Sequence, residues 1–134
     1  MSDSESAGTG KPKAIVVGHG QFSAGLVSAV GQICGLADKL VVLSNVGQTP
    51  QDIEATLRDH LARTGARVIF TDLPGGSATI AARRIAKENP DIVLVSGVNL
   101  ATLLDFVFSS GTPEEAARAA AERGKASLIV IERG

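Results

Sequence analysis

Beyond residue 12, short runs that are apolar at nearly every position alternate with longer stretches that are apolar at every third or fourth. The runs are KAIVVG (13–18), KLVVLSNV (39–46), RVIFTDL (67–73) and DIVLVSG (91–97). An uninterrupted apolar run of this length, bounded by turn residues, predicts a strand covered on both faces. The intervening stretches predict helices. The first covers 22–34, with a stripe at Phe22, Leu26, Ala29, Val30 and Ile33. The second opens on Thr49 as N-cap, with Pro50 in the first position and Asp52 in the first turn, and runs to about residue 63, where Gly65 stops it. A third covers 77–88 and is broken by Asn89-Pro90. A fourth spans about 100–109, and Thr112-Pro113-Glu114-Glu115 opens a fifth that reaches 124. The final run, ASLIVIERG, predicts a fifth strand.

Continuous apolar strands alternating with helices specify an α/β fold: an open, doubly wound parallel sheet with helices on both faces. We expect a polar, disordered tail over 1–12 and a single domain over 13–134. Such sheets place ligands at the carboxyl ends of their strands, beside a topological switch point. Those ends read GHGQ, SNVGQT, TDLPGGS and SGVNL in order.

Composition narrows the chemistry. The chain has 134 residues, enough for a hydrophobic core without disulfides or metal. A net charge of −1 gives no electrostatic basis for binding nucleic acid or an acidic membrane. With no Trp or Tyr and four Phe, platforms for stacking bases or sugar rings are scarce. The single Cys34 rules out an internal disulfide and is read as packed core. No stretch approaches the ~18 apolar residues of a membrane span, and residues 1–12 lack the features of a signal peptide. The expectation is a cytoplasmic protein without direct membrane insertion.

The candidate chemistry lies at the strand ends. His19 closes the first strand between Gly18 and Gly20, and Asp72 closes the third. Should the strands take the order 2-1-3-4, these two ends are neighbours. A carboxylate accepting the N–H of one imidazole nitrogen fixes the tautomer and leaves the other nitrogen free to attack. Such a pair makes His19 a nucleophile toward a phosphoryl group. Gly75, Gly76 and Ser77 follow at a helix start, where bare amides and the helix dipole receive anions. Gly20 offers a similar helix start behind His19. Asn99 reads as an N-cap, and His60 falls on the second helix with no assigned role.

Several other chemistries are absent from the sequence. There is no GxxxxGK[ST] and no complete GxGxxG. Two histidines cannot build a His-rich zinc site, and a serine hydrolase would need a GxSxG elbow. A phospho-aspartate receiver would carry an acidic pair after its first strand, where this chain has GHGQ. No metal or cofactor is expected.

Taken together, VVGHGQFSAG, TDLPGGS and SGVNLATLLD resemble the enzyme IIA domains of the mannose/sorbose family of the bacterial phosphoenolpyruvate-dependent sugar phosphotransferase system. The likeness extends from Lys13 to about residue 124. It departs from the family pattern at Ala78 and Ile80, where many members have Pro and Asn, and in Asn99–Leu103, which lacks a frequent Pro. The resemblance implies a four-stranded parallel sheet in 2-1-3-4 order and a C-terminal strand exchanged across a homodimer. It implies that His19 accepts a phosphoryl group from phospho-HPr and passes it to a IIB component during sugar uptake. By the same likeness Asp72 is its hydrogen-bonding carboxylate, and Gly20, Gly75, Gly76 and Ser77 line the phosphate site. A regulatory protein that senses phosphotransferase status through His19, without its own transporter, would use the same residues. A plain α/β binding module would keep His19 and Asp72 only as a structural pair.

Overall fold

The computed structural model describes residues 11–133. Residues 1–10 of the expected tail, and Gly134, lie outside that range. Four strands and five α-helices follow one another as β1 (Ala14–Gly18), α1 (Phe22–Cys34), β2 (Leu40–Ser44), α2 (Pro50–Thr64), β3 (Val68–Thr71), α3 (Ser77–Glu88), β4 (Val93–Ser96), α4 (Leu100–Phe108) and α5 (Pro113–Ala126). A 3-10 turn at Ala37–Lys39 leads into β2. The strands form one parallel sheet in the order β2-β1-β3-β4, the 2-1-3-4 arrangement.

β1 and β3 are central and fully buried, so their side chains divide between two cores according to the two-residue period of a strand. Ala14 and Val16 face one core with Val68 and Phe70, packed by α1, α4 and α5. Ile15, Val17 and Ile69 face the other, closed by Ile53, Leu57 and Leu61 of α2 and by Ala78, Ala81, Ala82 and Ile85 of α3. Phe70 and Phe106 meet edge to face at 5.0 Å in the first core. The outer strands β2 and β4 are only partly covered, unlike the two-faced burial their apolar runs predict.

The expected caps form. Thr49 and Thr112 each accept a bond from the amide three residues on (Asp52 and Glu115), and those carboxylates bond back to the cap amides. Asn99 caps α4 through Thr102 N at 3.0 Å and also donates to Gly124 O at 2.9 Å, tying α4 to α5. At the amino edge of the sheet, Lys13 Nζ donates to the last carbonyls of α4, at 2.8 Å to Ser109 and 3.4 Å to Phe106. A cation there complements the negative end of the helix dipole. Burial, then the charge of Lys39, lower the Lys13 pKa from its ordinary value.

One expectation is corrected, in α1. The buried face of α1 is Ser23, Val27 and Val30; of the predicted stripe, Phe22 and Leu26 pack partly against the core and Ile33 is 58% exposed. The stripe holds at Val30 and fails at Ile33, and it leaves out Ser23, which turns inward to donate its hydroxyl to Leu43 O at 2.6 Å, an interaction that hydropathy does not register. The C-terminal strand expected to be exchanged across a dimer falls on residues 128–133, which form no ladder within the single chain. After α5 they run in the open, with Leu128, Ile129, Val130 and Ile131 each at least 67% exposed. Strand structure needs a partner ladder, and in one chain this segment has none.

Candidate active site

Parallel register brings the predicted pair together. β1 and β3 are neighbours, with Val17 opposite Thr71, so the next residues of both strands emerge side by side at the carboxyl edge. His19 Nδ1 lies 2.7 Å from Asp72 Oδ2, and the His19 backbone amide donates to the same oxygen at 2.9 Å. The second carboxylate oxygen, Oδ1, accepts from Leu73 N at 3.0 Å. With three donors the carboxylate is held at both oxygens, and its side chain is only 7% exposed. The histidine is the opposite: its side chain is 57% exposed. Burial pushes the Asp72 carboxyl upward, but the hydrogen bonds from the His19 side chain and backbone and the His19 charge outweigh it. The net effect holds Asp72 below its ordinary pKa. An ionised Asp72 requires a proton on Nδ1, so in the neutral form of the ring Nε2 is the free, unprotonated nitrogen.

Two glycines permit this approach. A Cβ on Gly18 would stand 3.0 Å from the Asp72 carboxylate carbon, and one on Gly76 would stand 3.2 Å from His19 Cε1 and 3.8 Å from Nε2. Gly76 also has φ +95°, which L side chains rarely adopt. The bare backbone at the start of α3 therefore lies along the free edge of the imidazole. Gly76 makes no side-chain cap for α3, and Gln21 makes none for α1. The other three helices are all capped by a Thr or Asn side chain. The two helices that begin beside His19 thus have no side chain covering their starts. At α1 the Phe22 amide is taken by the His19 carbonyl at 3.0 Å. The other first-turn amides have no side-chain cap that would compete with an incoming anion.

The remaining predicted residues are placed as follows. Gly75 sits in the turn before Gly76, and Ser77 begins α3, its Oγ 3.4 Å from Asn45 Nδ2 of the β2–α2 loop. Gly20 follows His19, and its carbonyl accepts from Ser44 Oγ at 3.0 Å. Sequence reasoning assigned no site role to Asn45, nor to Thr79, whose buried hydroxyl lies 2.6 Å from Leu73 O and 2.8 Å from Thr71 Oγ1. Asn45 was visible only as part of a polar strand end. Thr79 looked like any other threonine in the first turns of a helix. His60 stays on α2, 3.4 Å from an Arg63 nitrogen. Cys34 is partly buried against the first core, with Sγ 3.3 Å from Val30 O. Among the described residues no group of three or more His, Cys, Asp or Glu is placed to hold a metal ion. Among the described residues no helix is long and apolar enough to cross a membrane.

Residues 13–123 match the family model EIIA-man, described as PTS system fructose IIA component. Among solved structures, the chain is similar to a phosphotransferase system component EIIA from Streptococcus agalactiae. The identity is 23% and the TM-score 0.81, over 88% of this chain and 95% of that one. It is also similar to a mannose/sorbose specific IIA subunit from Enterococcus faecalis, at 24% identity and TM-score 0.80, over 92% and 97%. A putative sugar phosphotransferase permease from Klebsiella pneumoniae aligns at 23% identity and TM-score 0.76, over 95% and 96%. No curated protein matches the chain.

Proposed function

The chain belongs to the EIIA-man family of phosphotransferase-system IIA components, and from that premise we propose that it is a cytoplasmic phosphocarrier with His19 as its phosphorylated residue. The donor is the phosphohistidine of HPr and the acceptor a IIB component of a sugar transporter. One observation carries this reading: Asp72 claims Nδ1 of an exposed imidazole whose Nε2 edge faces the uncapped start of α3.

The step balances simply. The Nε2 lone pair attacks phosphorus in line while the bond from phosphorus to the donor nitrogen breaks, its electron pair returning to the donor ring. The Nδ1 proton stays on His19 throughout. The ring becomes a phosphorylated imidazolium, and the charge it gains falls against the ionised Asp72. Amides around Gly20 and from Gly75 to Ser77 receive the phosphoryl oxygens. Transfer to IIB is the same displacement in reverse, with the acceptor nucleophile attacking and Nε2 leaving. Val46, Leu73 and Ile80, exposed on loops and a helix start of the same edge, supply apolar surface for protein partners docking in turn. The open residues 128–131 suit a homodimer in which each chain lends this segment as a strand to the other.

Intact-protein mass spectrometry after incubation with phosphoenolpyruvate, enzyme I and HPr tests the donor half. One acid-labile phosphoryl group is expected on the wild type and none on His19→Ala. No added mass, with enzyme I and HPr shown to be active, would overturn the reading. Addition of a IIB component then tests the acceptor half: loss of the phosphoryl group to IIB supports a transport role, and its retention with every IIB tried favours a regulator.

A further inference from the structure

We propose that Thr79 is a positioning residue, which holds the Asp72 carboxylate on His19 by clamping the turn that carries it. The inference rests on the reading of His19 and Asp72 as the phosphotransfer pair. Thr79 is the third residue of α3, so no carbonyl of its own helix lies one turn back to take the hydroxyl. Its hydroxyl leaves α3 and reaches Leu73 O at 2.6 Å and Thr71 Oγ1 at 2.8 Å, the two residues that flank Asp72. The residue is 1% exposed, so water does not compete for these bonds.

The hydroxyl chain has only one workable direction. A carbonyl can only accept, so the single Thr79 proton goes to Leu73 O. The contact with Thr71 is then filled by the Thr71 proton, and the Thr71 oxygen faces Ser96 Oγ of β4 at 2.9 Å. The chain runs from Ser96 through Thr71 and Thr79 to the Leu73 carbonyl. The Thr71 carbonyl is fixed as well, accepting from Gly97 N at 3.0 Å and Val98 N at 3.1 Å. Thr71 is thus anchored to the sheet on two sides. On the far side of Asp72, the Leu73 carbonyl is tied by Thr79. Without the Thr79 hydroxyl the turn keeps its strand-side anchor and loses the helix-side one at Leu73, whose amide holds Asp72 Oδ1, so the carboxylate is held less firmly against the ring. The tautomer of His19 then loosens.

The test uses the full-length chain with Thr79→Val, which removes the hydroxyl at nearly constant volume, and Thr79→Ser, which keeps it. Nitrogen-15 NMR of the neutral His19 ring reads the tautomer directly. Wild type and Thr79→Ser are expected to hold the proton on Nδ1, whereas Thr79→Val is expected to shift a large fraction to Nε2. Phosphorylation by phospho-HPr is expected to slow roughly ten- to a hundredfold in Thr79→Val and to recover in Thr79→Ser. Thr79→Ala, which adds no steric demand, serves the same comparison if the valine variant does not fold. A Thr79→Val or Thr79→Ala protein that keeps the wild-type tautomer would overturn the proposal, whatever its melting temperature. The tautomer readout needs no phosphoryl donor. A wild type that accepts no phosphoryl group would therefore fail the functional reading alone, leaving the positioning result to stand or fall separately.

Discussion

His19 gives two donors, its ring and its own amide, to one oxygen of Asp72, so ring and backbone are oriented by the same atom. Asp72→Asn keeps the size of that partner but can present either an oxygen or an NH2 to Nδ1. The tautomer is then no longer fixed, and phosphorylation by phospho-HPr is expected to slow by roughly a hundredfold in stopped-flow or quench assays, with the circular dichroism spectrum unchanged. The lowered Asp72 pKa has a signed consequence. The stabilisation it reflects is fully present above the ordinary aspartate value of about 4 and disappears as pH falls through the depressed folded value. A carbon-13 titration of the Asp72 carboxyl should therefore show a midpoint below that of an ordinary aspartate, and the stability gap between wild type and Asp72→Asn should close in acid. A midpoint at or above the ordinary value would contradict the hydrogen-bonding pattern. Gly76→Ala places a Cβ against His19 Cε1 on a backbone with φ +95°. A loss of about 1–3 kcal/mol is expected in urea denaturation, together with slower phosphorylation. His19, Asp72 and the Gly-Gly-Ser turn were legible from residue types at strand ends. Thr79 was not, because its partners lie six and eight positions away and meet it only once β3 and α3 have packed.

Secondary elements were read well where local chemistry decides them. Thr49 and Thr112 cap because a short hydroxyl side chain, Pro in the first turn and an acidic residue three on satisfy orphan amides within one turn. Thr112→Ala removes one such bond and is expected to cost about 1 kcal/mol in thermal or urea unfolding, leaving phosphorylation unchanged. The face of α1 was read less well, since Ser23 is buried for a hydrogen bond and not for hydropathy. Ion pairs between helices were also invisible in the sequence. Glu54 of α2 bonds Arg58 on its own helix and Arg84 of α3, and Arg58 continues to Glu88. The hydrogen bond from Arg58 leads the effects that hold Glu54 below its usual pKa, burial opposing it. These groups are at the surface, where such pairs contribute little and are screened by salt.

At the scale of the whole molecule, residues 128–133 stand apart. Four consecutive large apolar side chains in open solvent are costly for a lone chain, and the outer strand β4 has one neighbour only. If a second copy covers them, sedimentation velocity should show a dimer for the wild type. A Leu128→Asp/Val130→Asp variant should sediment as a monomer at the same concentration. A monomeric wild type at micromolar concentration would count against the exchange. The sequence by itself determined the strand cores, the helix starts and stops, and the class of chemistry at the strand ends. Those follow from side-chain periodicity and backbone sterics, which act over a few residues. Only the tertiary structure decided that β1 lies beside β3, that Asp72 takes Nδ1 and frees Nε2, that α1 and α3 begin uncapped at that point, and that the last apolar run finds no partner in its own chain. Each of these depends on which distant surfaces are buried together, a choice made by the packed sheet and its two cores and written in no single stretch of residues.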